Sequence, residues 1–491
     1  MGRAFVGVDC GTQSTKAIVL GAEDAEVLAV GRREHTLISR LDGTREQDPD
    51  VWVAALAGSV RDALAAVPRV EVAGIAVSGQ QHGLVALDRS DRPLRPAKLW
   101  NDTTTLADCV ALTARMGGDA AVHAATGNVF VTGYTAPKVA WLRRNEPDSY
   151  ARATRFCLPH DWLNFWLTGE FATEAGDASG TAYFDVRKRR YARPVLAAID
   201  DGRDWDAALP AILPSSAVLG RLRPSAAGEL GLPPGIPVAT GGGDNMCAAI
   251  GVGAVVSGVA VMSLGTSGTV FGHADAPAVD PVREVSAFCD STGGWLPLSC
   301  VLNCTGPIDW GRSLFGLDHD AFDAIVGTVD PGANGLRFVP YLDGERTPDR
   351  PDASGELLGL RGHHGEAEIL RAVLEGVTAG LAYAVHAFRR TGAAADELLL
   401  VGGGARSTTW GQLLADWLEL PIARPSVAEA AASGAALQAA HVVDGMPLSR
   451  RVPTDVRWEP QSSSPVRDVA GAYATIIDQD TGGHREPTIL R

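Results

Sequence analysis

The sequence predicts an α/β protein made of two related domains that face one another across a cleft. Three observations carry this. Apolar runs of strand length alternate with helically spaced stretches through both halves of the chain, which is the pattern of an α/β fold. A small hydroxylated turn in GVDCGTQSTK, residues 7–16, returns 254 residues later in SLGTSGTV, residues 263–270, with Gly11, Thr12 and Thr15 recurring as Gly265, Thr266 and Thr269. That spacing is close to half of the 491 residues, and a chain of that length exceeds what one core usually supports.

The elements follow in order. AFVGVD (4–9) and AIVLG (17–21) bracket the first turn as a hairpin. PDVWVAALAGSVRDAL (49–64) has helical apolar spacing, with Asp48 or Asp50 available as a cap. VAGIAVSG (72–79) reads as a buried strand, and APKVAWLRRN (136–145) as a helix with Lys138 and Trp141 three apart. IPVATGGGD (236–244) is a strand running into a glycine turn. Residues 246–264 carry no charge over 19 positions, long enough for a membrane span. Gly251, Gly253 and Gly258 interrupt that run and Asp244 with Asn245 open it like a helix cap, so a helix, a turn and a buried strand are predicted. VAVMSLGTSGTVFG (259–272) restarts the strand-turn-strand pattern. Ile369, Val373, Val377, Leu381, Val385 and Phe388 share one helical face, which predicts a long helix over 368–388. Residues 397–418 read as strand, triple glycine and helix. The expected division is an N-terminal domain over 1–245, a C-terminal domain over 246–455, and a polar, weakly patterned tail over 456–491 without an assignment.

Composition narrows the class. The chain is 46% hydrophobic and 21% charged, with a formal charge of -15 and no basic stretch, so neither a nucleic acid nor an anionic membrane is an expected partner. Its seven cysteines lack CxxC or Cys/His spacing, which argues against a disulfide framework or a zinc site. The sequence enters a strand directly, without a charged and apolar leader, and a cytoplasmic protein is expected.

A strand-turn-strand rich in Gly and Thr presents backbone N–H groups and hydroxyls at one point, a cradle for phosphate oxygens. Either copy alone could be an ordinary hairpin; two copies on two domains would grip phosphates from both sides. The sequence has no GxxxxGK[ST] loop, and no GxGxxG between a strand and a helix. The triple glycines at 241–243 and 402–404 lead to different chemistry. Gly404 is followed by Ala405, Arg406, Ser407 and Thr408, neutral or basic, which suits adenosine. Gly243 is followed by Asp244 and Asn245. Asp244 reads either as a helix cap or as a weak base kept ionised by the helix N-terminus, and a weak base suffices for phosphoryl transfer. Asp9 beside the first turn suits Mg²⁺ held through water, and Ser263 in its place beside the second turn fits one metal needing one acid. SGQQHG (78–83) and LWNDTT (99–104) place Gln81, His82, Trp100, Asn101 and Asp102 where donors, acceptors and a flat apolar face would serve a polyol. On its own, His82 reads equally well as a packed core histidine.

Taken together these stretches resemble the FGGY family of carbohydrate kinases, from GVDCGT to about residue 445. The most specific parts are GYTAPKVAWLRRN (133–145), GGGDN (241–245), LGTSG (264–268), YLDGERTPDRP (341–351) with ELLGL (356–360), and GGGARSTTW (402–410). The resemblance implies two actin-like, ribonuclease-H-like domains flanking a central cleft, and transfer of phosphate from ATP with Mg²⁺ to the terminal hydroxyl of a sugar. It implies Asp244 as catalytic base with Asp9 assisting at the metal and phosphate. It implies Gln81, His82, Asn101, Asp102 and Asn245, beside Trp100, at the sugar, and Thr12, Gly265, Thr266, Gly306, Gly403 and Gly404 at ATP. Thr408 stands where some relatives carry an adenosine-contacting Asn. The sugar loops are more similar to the branch acting on D-xylulose than to the glycerol branch, which carries an Arg-Glu pair at Gln81 and His82; bacterial members of the xylulose branch often have Met at Gln81. A ketopentose, D-xylulose first, and ATP are therefore the expected partners, with ribulose, arabinitol or gluconate as other sugars and a homodimer left open. A nucleotide-driven conformational protein of the actin or Hsp70 kind is the reading from another class, and it has no use for the polyol loops.

Overall fold

The computed structural model describes residues 2–461 and 465–479. Gly2–Cys10 (β1) and Ser14–Gly21 (β2) pair antiparallel, setting Asp9 opposite Lys16 and Cys10 opposite Thr15. Val27–Glu34 (β3) continues the sheet antiparallel to β2. The helix Pro49–Ala66 (α1) starts with Asp48 accepting the Asp50 N–H, as the capping pattern predicts. Val70–Gly79 (β4) returns parallel to β1 and brings Ser78 beside Asp9. Two helices then matter for the site, Thr135–Asn145 (α2) and Pro159–Thr168 (α3). Val218–Arg221 (β5) and Pro237–Ala239 (β6) complete a sheet ordered β5-β6-β4-β1-β2-β3. A two-residue strand, Gly242–Gly243, pairs with Ser78 and Gly79 at the end of β4.

The second half repeats this plan. After the helix Asp244–Val252 (α4), Gly258–Leu264 (β7) and Gly268–Gly272 (β8) form the second hairpin, with Ser263 opposite Thr269. Leu298–Val301 (β9) pairs antiparallel with β8, and Thr305–Leu314 (α5) follows. Beyond the long helix Glu366–Arg390 (α6), Ala395–Val401 (β10) runs parallel to β7. The helix Thr408–Leu418 (α7) leads to Ile422–Pro425 (β11), parallel to β10. The helix Ala430–Asp444 (α8) and the antiparallel edge strand Thr454–Trp458 (β12) follow. The order β9-β8-β7-β10-β11-β12 has the same sequence of antiparallel and parallel pairings as the first sheet read from its β3 end. The duplication thus extends from a six-residue turn to a whole sheet.

α1 and α3 cover one face of the first sheet, where Trp52, Leu56 and Val60 meet Val6, Val8 and Val19. α6 and α7 cover one face of the second, with Val373, Val377 and Leu381 against Met262 and Val270. The facing sides enclose α4 and α8. Cys247 and Ile250 of α4 pack with Phe5 and Ile18 of the first sheet, while Met246 and Ala249 pack with Val261 and Phe271 of the second. The two central helices cross so closely that a Cβ on Gly434 would lie 1.7 Å from the Cys247 carbonyl oxygen.

The uncharged run after residue 245 is the predicted helix, turn and strand. Among the described residues one helix, α6, is long and apolar enough to cross a membrane, but 83% of its apolar window is buried inside the protein. It shows a burial ring rather than one buried face, because every position from Leu370 to Ala382 is enclosed. The tail is partly placed: β12 covers 454–458, and a helix over Val466–Gln479 (α9) buries Tyr473, whose hydroxyl accepts the Phe338 N–H at 3.0 Å. Residues 462–464 and 480–491 lie outside the described residues. All seven cysteines are unpaired.

Candidate active site

Sheet register brings the acids together. Ser78 sits between Asp9 on β1 and Gly242 on the short strand, and Asp244 follows two residues later as the first residue of α4. Ser78 Oγ donates to Asp9 Oδ1 at 3.2 Å. Asp9 and Asp244, both half-buried, line a cleft of about 1330 Å³ together with Lys16, Asn245, Ser263 and Gly403. Ser263 therefore occupies, on the second domain, the position that Asp9 holds on the first.

Asp244 is not the helix cap. Gly243 takes that position without a side-chain bond, and Asp244 Oδ1 accepts from the Asn245 N–H at 2.7 Å and from Asn245 Nδ2 at 2.9 Å. Nor is it the weak base that a helix N-terminus alone would make. Burial, and then the charge of Asp9, push it up to about 7, against the lowering bonds from Asn245. Asp9 is likewise raised by burial to about 6, with Lys16 opposing.

The turn carrying Asp244 is fastened on both sides. His160 Nε2 and Asn164 Nδ2, both on α3, donate to the Thr240 carbonyl at 2.8 Å each. Gln438 on α8 accepts the Gly241 N–H at 2.6 Å and donates back to the Gly241 carbonyl at 3.0 Å. Gly241 has φ +72° and a Cβ there would lie 2.0 Å from the Val77 carbonyl oxygen, so only glycine fits. None of these supports is legible in sequence, since each lies far along the chain from residue 244. Lys16 was within reach: it stands in the first motif, directly across the hairpin from Asp9. Its Nζ binds Glu429 at 2.6 Å beside the cleft.

The polyol loops converge on the same acid. Asn245 Nδ2 donates to Gln81 Oε1 at 3.1 Å. Gln81 Nε2, His82 Nδ1 and Asn101 Oδ1 are buried without hydrogen-bond partners, an uncommon condition for polar atoms in a folded protein. Three such atoms from adjoining loops match a ligand with several hydroxyls. His82 is held neutral, first by burial and then by Lys138 and Arg346. It packs edge-on to Tyr134, with ring centroids 4.9 Å apart. Trp100 is exposed and donates from Nε1 to Thr12 Oγ1 at 3.0 Å, while Thr12 donates to Gln80 at 3.1 Å. The first turn is thereby tied to the loops over 78–83 and 99–104.

Asp102 departs from expectation. It is fully buried, with Oδ2 accepting from the Arg45 N–H and from Lys98 Nζ, and Oδ1 from the Thr104 N–H and hydroxyl. Its carboxylate is consumed in shaping the loop and does not face the cleft. On the second domain, the Gly265 carbonyl accepts the Thr305 N–H at 2.9 Å and the Thr266 carbonyl accepts the Gly306 N–H at 3.4 Å. The start of α5 is thus anchored to the second turn, leaving the Thr266 side chain exposed. Gly403 has open space where a side chain would begin, whereas Gly404 is packed on Trp410. Thr408 is exposed at the first position of α7.

Two duplicated domains, a cleft between them and paired acids at its base define a phosphotransferase of the sugar-kinase class. Models of the FGGY carbohydrate kinases match residues 4–251 with their N-terminal domain and 260–443 with their C-terminal domain. The chain belongs to this family, and is a carbohydrate kinase with ATP as one substrate. It is 41% identical to the xylulose kinase of Haemophilus influenzae over 89% of this chain and 90% of that one. The structure of xylulose kinase from Bifidobacterium adolescentis superposes with a TM-score of 0.85 at 31% identity, covering 96% of this chain and 99% of the other. A gluconate kinase from Lactobacillus acidophilus reaches a TM-score of 0.91 at 23% identity over 98% of both chains, so the shared fold does not by itself select the sugar.

Proposed function

We propose that the chain transfers the γ-phosphate of ATP to the terminal hydroxyl of D-xylulose, giving D-xylulose 5-phosphate. The observation that carries this is the chain of contacts from Asp244 through Asn245 to Gln81, which joins a base of neutral affinity to the loops with unpartnered polar atoms. Asp244 accepts the hydroxyl proton as phosphate is transferred, a late and modest demand in a loose transition state. Gln81, His82, Asn101 and Asn245 orient the ketose, with Trp100 at its edge. Thr12, Gly265, Thr266, Gly306, Gly403, Gly404 and Thr408 surround the nucleotide from both domains. Relatives called xylulose kinase, matched over most of the chain, support this choice of sugar.

Among the described residues no group of three or more His, Cys, Asp or Glu could hold a metal alone. Two hard carboxylates at the cleft base instead suit Mg²⁺ arriving with the nucleotide, which keeps most of its waters and adds few protein ligands. Asp9 is the residue that would hold it through water; the ion would neutralise phosphate charge. The division at 245/246, the cytoplasmic location and a partner set limited to sugar and ATP belong to the same proposal, the last supported by the net charge of -15.

A coupled ADP-release assay over D-xylulose, D-ribulose, arabinitol, gluconate and glycerol tests this reading. A site built to bond hydroxyls discriminates against an epimer that leaves its groups unpaired, by roughly 1–3 kcal/mol each. D-xylulose should show the highest kcat/KM. Equal or better turnover of another sugar would remove the xylulose assignment and leave the kinase.

A further inference from the structure

The sugar-facing segments meet at a buried lysine that the chemistry above does not use. Lys138, in the second half of the first turn-and-a-half of α2, is fully buried. Its Nζ donates to the His82 carbonyl at 2.7 Å and to the Gly133 carbonyl at 2.5 Å. The hydroxyl of Thr135, on the same helix, donates to the same His82 carbonyl at 3.1 Å. His82 has φ +67°, a conformation that a residue with a side chain adopts only when its surroundings impose it. Gly133 in turn packs against the other of these loops, since a Cβ there would sit 2.6 Å from the Trp100 carbonyl oxygen. One amine therefore joins the segments carrying Gln81 and His82, Trp100 and Asn101, and Tyr134.

Packing alone does not account for the residue type. Among the described residues Lys138 forms no ion pair, and burial pulls its ammonium well below the usual lysine range, with Asp102 opposing. An apolar chain of similar length would avoid the cost of burying an amine. What the amine contributes is two hydrogen bonds to main-chain carbonyls. A second cation, Lys98, is paired with Glu46 and Asp102 and lies over the Trp141 ring, so its charge is engaged elsewhere.

We propose that Lys138 is a positioning residue for sugar recognition, with Thr135 as its helper: by holding the His82 and Gly133 carbonyls it sets how Gln81, His82 and Asn101 meet the ketose. It acts on sugar affinity and epimer selectivity and leaves nucleotide binding alone. The inference rests on the sugar site proposed above.

Lys138→Met and Thr135→Val test it. For Lys138→Met the KM for D-xylulose should rise about tenfold or more, because small misplacements of binding groups are costly. The KM for ATP should stay within about twofold, as should the slow ATP hydrolysis expected when water takes the place of the sugar hydroxyl, and the D-xylulose to D-ribulose preference should shrink. D-xylulose should lose its ability to raise the unfolding temperature of the variant, while a non-hydrolysable ATP analogue keeps it. Thr135→Val should move the same readouts in the same direction by a smaller factor, and it decides the matter if Lys138→Met does not fold. An unchanged sugar KM in the folded variants overturns the proposal. So does a fall in sugar-free ATP hydrolysis equal to the fall in sugar phosphorylation, which would mark Lys138 as general scaffolding. If the unmodified protein prefers another sugar, the xylulose reading fails and the same split is measured with that sugar; if it phosphorylates none, both fail.

Discussion

At Asp244 opposing influences meet on one carboxyl group. The start of α4 favours the ionised form, yet burial and Asp9 together outweigh it and hold the group at about 7. A base must be ionised to accept a proton, so kcat should fall as pH drops below about 7, and the acid limb of its pH profile should report this group. Asp244→Ala should lower kcat by at least about a hundredfold while the KM for ATP changes little; near-normal turnover would reduce Asp244 to a structural role. The same shift has a cost in stability. With the folded value above the unfolded one, the folded protein binds the extra proton between about 4 and 7, and stability is lost as pH rises through that window. Asp244→Asn should therefore unfold at a higher temperature than the unmodified protein at pH 8, and the difference should close toward pH 5. No difference at pH 8 would mean the carboxylate is better solvated than the structure indicates. The identity of the acid was legible in GGGDN, but its proton affinity was not, because it is set by burial and then by Asp9, 235 residues earlier in the chain.

Among the elements, those with strong local patterns were legible: the two hairpins, α1 with its Asp48 cap, β4, α2, α4 and α6. Their apolar spacing and turn residues lie within one short window. α9 was not, because Tyr473 reaches its partners, Phe338 and Ala372, only across the fold. The central pair α4 and α8 shows how an element serves both domains. Gly434 lets α8 approach the α4 backbone, and Gln438, one turn on, grips the Gly241 peptide ahead of Asp244. Gly434→Ala would force a methyl group against a main-chain oxygen, where overpacking costs about 1–3 kcal/mol or more. Denaturant unfolding should show a loss of that size, with kcat falling as the turn shifts. A midpoint unchanged from the unmodified protein would show that the helices separate without penalty.

For the whole molecule, each domain owns one Gly-Thr turn, and both acids and the loops over 78–83 and 99–104 sit on the first. In the proposed reaction the halves close on the nucleotide, which also keeps water from the γ-phosphate. Small-angle scattering should give a smaller radius of gyration with D-xylulose and a non-hydrolysable ATP analogue together than without them; an unchanged radius would show that the free protein is already closed. The sequence by itself determined the duplicated α/β plan and singled out Asp9, Asp244, Asn245 and Gly403 among the residues that line the cleft, since glycine geometry, apolar period and small hydroxylated turns are local properties. Tertiary structure alone decided that Asp102 is turned into its loop by Lys98, Thr104 and Arg45, that burial and Asp9 push Asp244 up to about 7, and that Lys138 ties the His82 carbonyl to that of Gly133. These outcomes depend on which distant groups share a low-dielectric neighbourhood, and no spacing along the chain encodes that.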